Sequence, residues 1–316
     1  MMRYSRQEIL IEKENQELLN RKTVCVVGLG ALGSNSSNLL TRSGVNLILV
    51  DKDKVELSNL QRQNIYTEGN IGLFKSDVAC DYLKKVNSKI KIKRYNVKLN
   101  QENINLIKSD LVLDCTDNLE VRFLINDFCS KNKIPWVHAA AIQNHGLIFN
   151  VMPGKACFNC IYRNIKEFDR CEDIGVLNTI TTLISSLQVS EAFKILLNKD
   201  YEESLIRINL DKNLFEKIKV NKNTDCEVCN GKMVEKKFKL ELCRTKTTLT
   251  VKTHKKLNLE KIKKKFGELR DAGNTILIEV DNEQVIINKE GEIIFKTLRD
   301  ENKVMEIADE IYEAGK

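Results

Sequence analysis

Residues 23–51 contain the pattern that most limits what this chain can fold into. An apolar run over Val24–Val27 predicts a buried parallel strand, and Gly28–Gly33 (GLGALG) predicts a turn into a helix. A second apolar run over Leu47–Val50 ends at Asp51. Glycines allow close approach to a phosphate, a helix N-terminus offers free N–H groups, and a carboxylate suits a ribose hydroxyl. The pattern predicts a unit that binds an adenine nucleotide. A close-packed turn without a ligand is the alternative.

Length and composition place the chain among ordinary globular proteins. Its 316 residues allow two domains, and 42% are hydrophobic and 30% charged. No apolar run approaches the roughly 20 residues that span a bilayer. The first ten residues lack the layout of a signal peptide, so we expect a cytoplasmic protein without a membrane partner. Ten cysteines in such a compartment favour metal or thiol chemistry over disulfides.

Strands that alternate with helices along the first two thirds of the chain predict an α/β fold, with a doubly wound, mostly parallel, Rossmann-like sheet. Ile9, Leu10, Leu18 and Leu19 are expected on the apolar side of a leading helix. The predicted helices are Ser5–Asn20, Ile71–Asn87, Gln101–Lys108, Leu119–Lys131 and Thr179–Leu197. The further predicted strands are Lys89–Val97, Leu111–Asp114, Trp136–Ile142 and Gly146–Met152.

The sequence changes in character after Met233, which predicts a second domain. We place the nucleotide-binding domain at residues 1–232 and a small α+β domain of about 80 residues at 239–316. Its predicted elements are strands at Lys246–Lys252, Thr275–Val280, Gln284–Asn288 and Glu292–Lys296, and helices at Leu259–Leu269 and Lys303–Ala314. The run Lys246–Lys265 holds eight lysines and one glutamate. A solvated helix face is favoured there over a nucleic-acid surface, because no aromatic residues are interleaved.

Polar residues after the second strand suggest a site for a triphosphate. Arg62 suits a phosphate, and Asn59 suits a ribose or phosphate oxygen. Lys75 is expected in the first turn of a helix, where a cation opposes the helix dipole unless an anion lies nearby. A surface ion pair and a solvated lysine are the alternatives. Arg62 and Lys75 are therefore a candidate phosphate clamp.

A later strand, Leu111–Asp114, is followed by Asp117, so two carboxylates end up at the edge of the sheet where ligands bind. A carboxylate close to a triphosphate commonly holds Mg²⁺. The alternative is that Asp117 only caps the helix that follows.

Two C-x-x-C pairs give four thiols, which suffice for a closed tetrahedral Zn²⁺ site of a structural kind. The pairs are Cys157 with Cys160 and Cys226 with Cys229. A redox role is the alternative. Cys171 stands alone ahead of a long helix and is a candidate nucleophile, or else an incidental loop residue. Cys25, Cys80, Cys115 and Cys129 are expected to be small core residues.

Taken together, nine segments in order resemble the E1-like adenylyltransferases that activate ubiquitin-like and sulfur-carrier proteins (the ThiF, MoeB, HesA and Uba4 group). The resemblance covers about residues 1–232. The matching strings are RYSRQ, GLGALG, VDKDKVELSNLQRQN, the Gly72–Lys75 step, DCTDN, CFNC, CEDIGVL, SSLQVSEAFKILL and CEVC. One departure is His138–Ala141 (HAAA), where relatives usually carry a glycine before the alanines.

The resemblance implies an activity. A partner's C-terminal Gly-Gly carboxylate would attack the α-phosphate of Mg·ATP, giving an acyl-adenylate and pyrophosphate. Arg6 matches an arginine that reaches the active site of the neighbouring subunit, which implies a homodimer. Cys171 matches a cysteine that can form a covalent species with the carrier. The expected nucleotide-binding residues are Gly28, Gly30, Gly33, Asp51, Asp53, Ser58, Asn59, Leu60, Gln61, Arg62, Lys75, Asp117 and Asn118.

Other functions remain open from the sequence. An NAD-dependent dehydrogenase would explain the glycines and Asp51, but not Arg62, Lys75 and the paired cysteines together. A nucleotide-binding adaptor without activity would keep the fold and lose the phosphate clamp. A related enzyme that activates a carboxylate on tRNA is a further alternative, in which the basic run Lys246–Lys265 would contact the tRNA.

Overall fold

An eight-stranded sheet forms the centre of the first of two units, Met1–Met233. The computed structural model describes residues 3–162, 175–231, 239–243, 248–252, 256–298 and 300–315. The strands of this sheet are β1 (Thr23–Val27), β2 (Asn46–Val50), β3 (Ile92–Tyr95), β4 (Leu111–Asp114), β5 (Trp136–Ile142), β6 (His145–Val151), β7 (Leu205–Asn209) and β8 (Leu214–Ile218).

The strand order is β3-β2-β1-β4-β5-β6-β7-β8. Strands β1 to β5 pair in parallel, and β6, β7 and β8 extend one edge in antiparallel pairings. The mostly parallel α/β sheet predicted from the sequence is confirmed. Because β1 lies between β2 and β4, the loops that follow these strands meet at one edge of the sheet.

Helices cover both faces of the sheet. They are α1 (Ser5–Ile11), α2 (Lys13–Arg21), α3 (Ala31–Arg42), α4 (Lys75–Val86), α5 (Leu119–Asn132), α6 (Phe158–Tyr162) and α7 (Asn178–Leu196). Side chains alternate along β1, so Val24 and Val26 join α3 and α7 in one apolar cluster, while Val27 joins α5 in another. This two-sided burial explains the continuous apolar runs in the sequence.

The prediction of one leading helix over Ser5–Asn20 is wrong. The chain breaks at Glu12, whose φ of 73° separates α1 from α2. Leu19 is fully buried, but Ile9 and Leu10 are 78% and 83% exposed. The helical periodicity therefore holds only from residue 13 onward, and α1 contributes no buried side chain to this chain's core.

The helix predicted at Gln101–Lys108 is also wrong, since only a 3₁₀ turn forms there, at Ile104–Ile107. Asparagine side chains compete with the helical backbone. The Asn100 side-chain oxygen accepts the N–H groups of Glu102 and Asn103, at 2.9 and 3.1 Å. The β7–β8 hairpin is an addition that the sequence pattern did not predict, because β8 is mostly exposed on both faces.

The second unit, Val234–Lys316, has its own sheet and core. Its strands are β9 (Lys239–Cys243), β10 (Thr248–Lys252), β11 (Arg270–Asp271), β12 (Thr275–Val280), β13 (Glu283–Asn288) and β14 (Glu292–Phe295), and its helices are α8 (Leu259–Phe266) and α9 (Glu301–Gly315). The antiparallel order is β11-β12-β13-β14-β10-β9. Within the described part of the chain, every helix is too short or too polar to span a bilayer.

Candidate active site and cysteine cluster

The glycine-rich turn between β1 and α3 contains three glycines with different surroundings. Gly28 has a φ of +85°, and a Cβ there would lie 2.8 Å from the Cys115 carbonyl oxygen. A Cβ on Gly33 would overlap the Gly28 carbonyl oxygen. A Cβ on Gly30 would meet nothing nearer than 3.8 Å. The packing of the protein therefore requires the first and third glycines, while Gly30 leaves open space at the N-terminus of α3, where free N–H groups favour an anion.

Asp51, at the end of β2, connects the glycine-rich turn to the loop that follows. Its carboxylate accepts the N–H groups of Leu29 at 2.6 Å and Asp53 at 2.7 Å. Burial raises the pKa of Asp51, and the two N–H donors and the charge of Lys75 oppose that rise. The acid is therefore fixed beside Gly30 before any nucleotide binds.

Lys75 is the first residue of α4, and its side chain is only 9% exposed. Its ammonium lies 3.8 Å from the Asp53 carboxylate. Tyr66, which belongs to none of the sequence motifs, donates a hydrogen bond to the Leu29 carbonyl at 2.9 Å and so joins the loop before α4 to the glycine-rich turn. Burial raises the pKa of Tyr66. No periodic pattern signals a side chain that links two loops.

The segment after β2 forms a tight 3₁₀ turn. Asn59 is buried and accepts the Glu56 N–H at 3.1 Å, so its amide oxygen stabilises this turn. Arg62 is half-buried and donates to the Ser58 carbonyl at 3.0 Å. Ser58 and Gln61 are exposed, whereas Leu60 packs on the core beside α3. The turn places Arg62 on its surface.

The two carboxylates predicted at the end of β4 have different surroundings. Asp114 is fully buried and bonded internally, whereas Asp117 is exposed. Asn118, not Asp117, caps α5, because its side chain accepts the Val121 N–H at 3.1 Å. The capping alternative for Asp117 is thereby removed, and its carboxylate is presented at the edge of the sheet that also carries Gly30.

The four paired cysteines meet as predicted. The Sγ atoms of Cys157 and Cys160 are 3.9 Å apart, and the cross-pair distances Cys157–Cys226 and Cys160–Cys229 are both 3.6 Å. All four sulfur atoms lie within 4.8 Å of one another. A tetrahedral ion with metal–sulfur bonds of about 2.3 Å places its sulfur ligands roughly 3.8 Å apart, so the cluster fits Zn²⁺.

Other predicted residues are placed as follows. Arg6 is exposed on α1. Cys171 lies outside the described residues. Cys25, Cys80, Cys115 and Cys129 are buried. In the basic run, four of the described lysines have carboxylate partners, which weakens the case for a nucleic-acid surface. These are Lys252, Lys256, Lys263 and Lys265.

A mostly parallel sheet with an open glycine at a helix N-terminus, a fixed acid after β2 and a buried lysine is typical of nucleotide-binding α/β proteins. Residues 4–228 match the ThiF family. The molybdopterin-synthase adenylyltransferase of Escherichia coli is 38% identical, over 72% of this chain and 96% of that protein. The sulfur carrier protein ThiS adenylyltransferase of Bacillus subtilis is 30% identical, over 86% and 85%.

A crystal structure of E. coli MccB with succinimide shares the fold, with a TM-score of 0.65 and 21% identity over 72% of this chain and 74% of that chain. The chain belongs to the ThiF family and is an adenylyltransferase of the E1-like kind, which confirms the resemblance seen in the sequence.

Proposed function

We propose that the chain uses ATP to adenylate the C-terminal glycine of a ubiquitin-like or sulfur-carrier protein and releases pyrophosphate. The observation that carries the proposal is Lys75. Its ammonium is buried at the start of α4, 3.8 Å from the Asp53 carboxylate and close enough to Asp51 to oppose the rise in the pKa of that acid. A buried cation requires compensating negative charge, so this position at the edge of the sheet suits an anion with several negative charges. The name of the B. subtilis relative supports a sulfur carrier as the second substrate.

The chain's residues have separate tasks in this reaction. Asp51 faces the ribose, Gly30 leaves room for the phosphates, and Arg62 turns from the Ser58 carbonyl to bind them with Lys75 and Asn59. Asp53, Ser58, Leu60, Gln61 and Asn118 line the same loops. An oxygen of the carrier's carboxylate attacks the α-phosphorus, and the bond from that phosphorus to the bridging oxygen of pyrophosphate breaks. Positioning and charge neutralisation drive this step, so no histidine is required.

Asp117 is the residue that would hold Mg²⁺. Its exposed carboxylate at the edge of the sheet suits a hard cation with oxygen ligands. When bound, Mg²⁺ neutralises the charge of the phosphates. The four-cysteine cluster is proposed as a structural Zn²⁺ site, because its sulfur spacing fits four thiolates around one ion with no open position.

Further proposals concern partners. Two copies of the chain would form a homodimer, in which Arg6 of each copy reaches the site of the other; the exposed apolar residues Ile9 and Leu10 on α1 support this. Cys171 would lose its proton and attack the activated carbonyl of the carrier after adenylation, forming a thioester as the bond from that carbonyl carbon to the AMP oxygen breaks and AMP leaves. The second unit would dock the carrier or the next protein.

Pyrophosphate exchange tests the proposal. Labelled pyrophosphate should enter ATP only when a small protein ending in Gly-Gly is present. Lys75→Met should lower the exchange rate by on the order of 10²–10³. The control Lys84→Met, on the exposed last turn of the same helix, should keep the parent rate. Exchange that ignores every Gly-Gly protein, or tight NAD binding instead, would contradict the proposal.

Cys171→Ala separates the two chemical steps. This variant should keep pyrophosphate exchange, because the adenylate forms without the thiol. It should lose any carrier adduct that an added thiol such as dithiothreitol releases, because a free thiol displaces Cys171 from a thioester. An adduct that persists in the variant would show that another group reacts.

A further inference from the structure

His138 is a buried residue that the proposed reaction does not use. It lies on β5, 1% exposed, beside Asp114 on the neighbouring strand β4. The His138 Nδ1 atom is 2.7 Å from the Asp114 Oδ2 atom. Since a carboxylate only accepts, Nδ1 carries the hydrogen and donates it. Burial lowers the pKa of His138, so the ring acts as a neutral donor at neutral pH.

Asp114 connects His138 to the loop that contains Asp117. Its other oxygen, Oδ1, accepts the backbone N–H of Thr116 at 3.0 Å and the Thr116 hydroxyl at 2.7 Å. Arg122 lies 3.3 Å from Asp114 and also donates to the Thr116 carbonyl. The residue just before Asp117 is thus held at its N–H, its hydroxyl and its carbonyl by one buried ion pair.

The opposite side of His138 contacts the helix of the cysteine cluster. Its ring lies 4.9 Å from the ring of Phe158 and 5.9 Å from that of Tyr162, measured between centroids, in edge-to-face arrangements. Phe158 stands between the two cysteines of the first pair, and its N–H donates to Asn126 on α5 at 3.0 Å. His138 therefore lies between α6 and the Asp114–Arg122 pair.

We propose that His138 is a positioning residue: by donating to Asp114 it keeps Thr116 fixed and thereby sets the place of the Asp117 carboxylate. Without this donor, Asp114 turns further toward the guanidinium of Arg122 and releases the N–H and the hydroxyl of Thr116. The Asp117 carboxylate is then displaced from the position in which it would hold Mg²⁺ beside the phosphates of the nucleotide. The inference rests on the proposed role of Asp117 as the Mg²⁺ ligand, and it concerns binding of Mg·ATP rather than of free ATP.

The test measures ATP affinity by calorimetry, with Mg²⁺ and with a chelator in its place. His138→Leu removes the donor and keeps an apolar side chain, and it should weaken binding about tenfold with Mg²⁺. Binding without Mg²⁺ should change by less than about twofold. His138→Asn puts an amide N–H near the position of Nδ1 and should restore most of the affinity for Mg·ATP.

Trp136→Phe is the control for aromatic packing, because Trp136 is equally buried on β5 and its ring contacts the rings of both His138 and Phe158. It should leave both affinities unchanged. Equal losses with and without Mg²⁺, a similar loss in the control, or no loss in His138→Leu would overturn the proposal. If His138→Leu fails to fold, Thr116→Val removes the hydroxyl that Asp114 accepts, and it should show the same Mg²⁺-dependent loss. The assay needs no carrier, so a failure of carrier-dependent exchange in the parent is a separate result.

Discussion

At the scale of single residues, the glycine-rich turn shows how one motif combines structural and functional demands. The sequence predicts the turn, and it predicts Asp51 beside it, because the carboxyl ends of neighbouring parallel strands share an edge. It does not reveal which glycine the fold itself requires, since that depends on the approach of Cys115 from β4. The hydrogen bond from Tyr66 to this turn could not be predicted either, because it depends on the path of the loop before α4.

Gly30→Ala should therefore weaken ATP binding while the protein stays folded. The space around Gly30 is free within the protein, because a Cβ there would meet nothing nearer than 3.8 Å. We expect at least about tenfold weaker binding by calorimetry and a loss of no more than about 1 kcal/mol in the free energy of unfolding.

The comparison variant is Gly33→Ala, whose Cβ would overlap the Gly28 carbonyl oxygen. It should lower the thermal midpoint markedly. Unchanged ATP affinity in Gly30→Ala would show that the phosphates do not approach this glycine.

At the scale of helices and strands, the strongly apolar elements were predictable and the local exceptions were not. The strand at Leu111–Asp114 follows from a short continuous apolar run, and the long helix α7 follows from a long, largely apolar segment without glycine or proline. The break at Glu12 could not be predicted, because no glycine or proline lies in this part of the sequence. The side-chain bonds of Asn100 that replace a helix turn depend on rotamers that a pattern does not encode.

Helix α1 leads to a prediction about assembly. A double change, Ile9→Glu with Leu10→Glu, should shift the protein from dimer to monomer in light scattering, because charged side chains cannot be buried in an apolar interface without partners. The rate of carrier-dependent pyrophosphate exchange should fall when the dimer is lost, since Arg6 would no longer reach the active site of a second copy.

Phe215→Glu on β8, where Phe215 is 57% exposed, is the control and should leave the mass unchanged. A parent chain that is already monomeric and fully active would refute both the dimer and the role of Arg6.

The cysteine cluster leads to a second prediction at this scale. The parent should contain one Zn²⁺ per chain by elemental analysis, and Cys160→Ser should lower both the metal content and the thermal midpoint, because metal binding free energy is also folding free energy. Cys80→Ala, which removes a buried thiol on α4 outside the cluster, should keep the full metal content. A metal-free parent with undiminished stability would contradict the assignment.

At the scale of the whole molecule, each unit has its own core. The two apolar clusters of the first unit draw on residues up to Cys229, and the cluster of the second begins at Leu249. The change in sequence character after Met233 made a division predictable, whereas the six-stranded order of the second sheet depends on long-range pairings such as β10 with β14.

Ending the chain after Met233 should leave ATP affinity within about twofold of the parent value, because a unit with its own core can fold alone. Carrier affinity should weaken if the second unit is a docking domain. Loss of ATP binding in the shortened chain would show that the nucleotide site needs the second unit, and unchanged carrier affinity would remove its proposed role.

The spacing of the two cysteine pairs has a consequence for the order of folding. Cys160 and Cys226 are separated by 65 residues, and this stretch includes α7, β7 and β8. Closing so long a loop in an unfolded chain has an entropic cost that grows with the logarithm of its length. We therefore expect a metal to join the two pairs most readily once these elements have brought them together. Removing the metal from a folded chain breaks the connection between the two cysteine pairs after the rest of the fold has formed. Refolding the chain without metal instead tests whether α7, β7 and β8 can form before that connection exists.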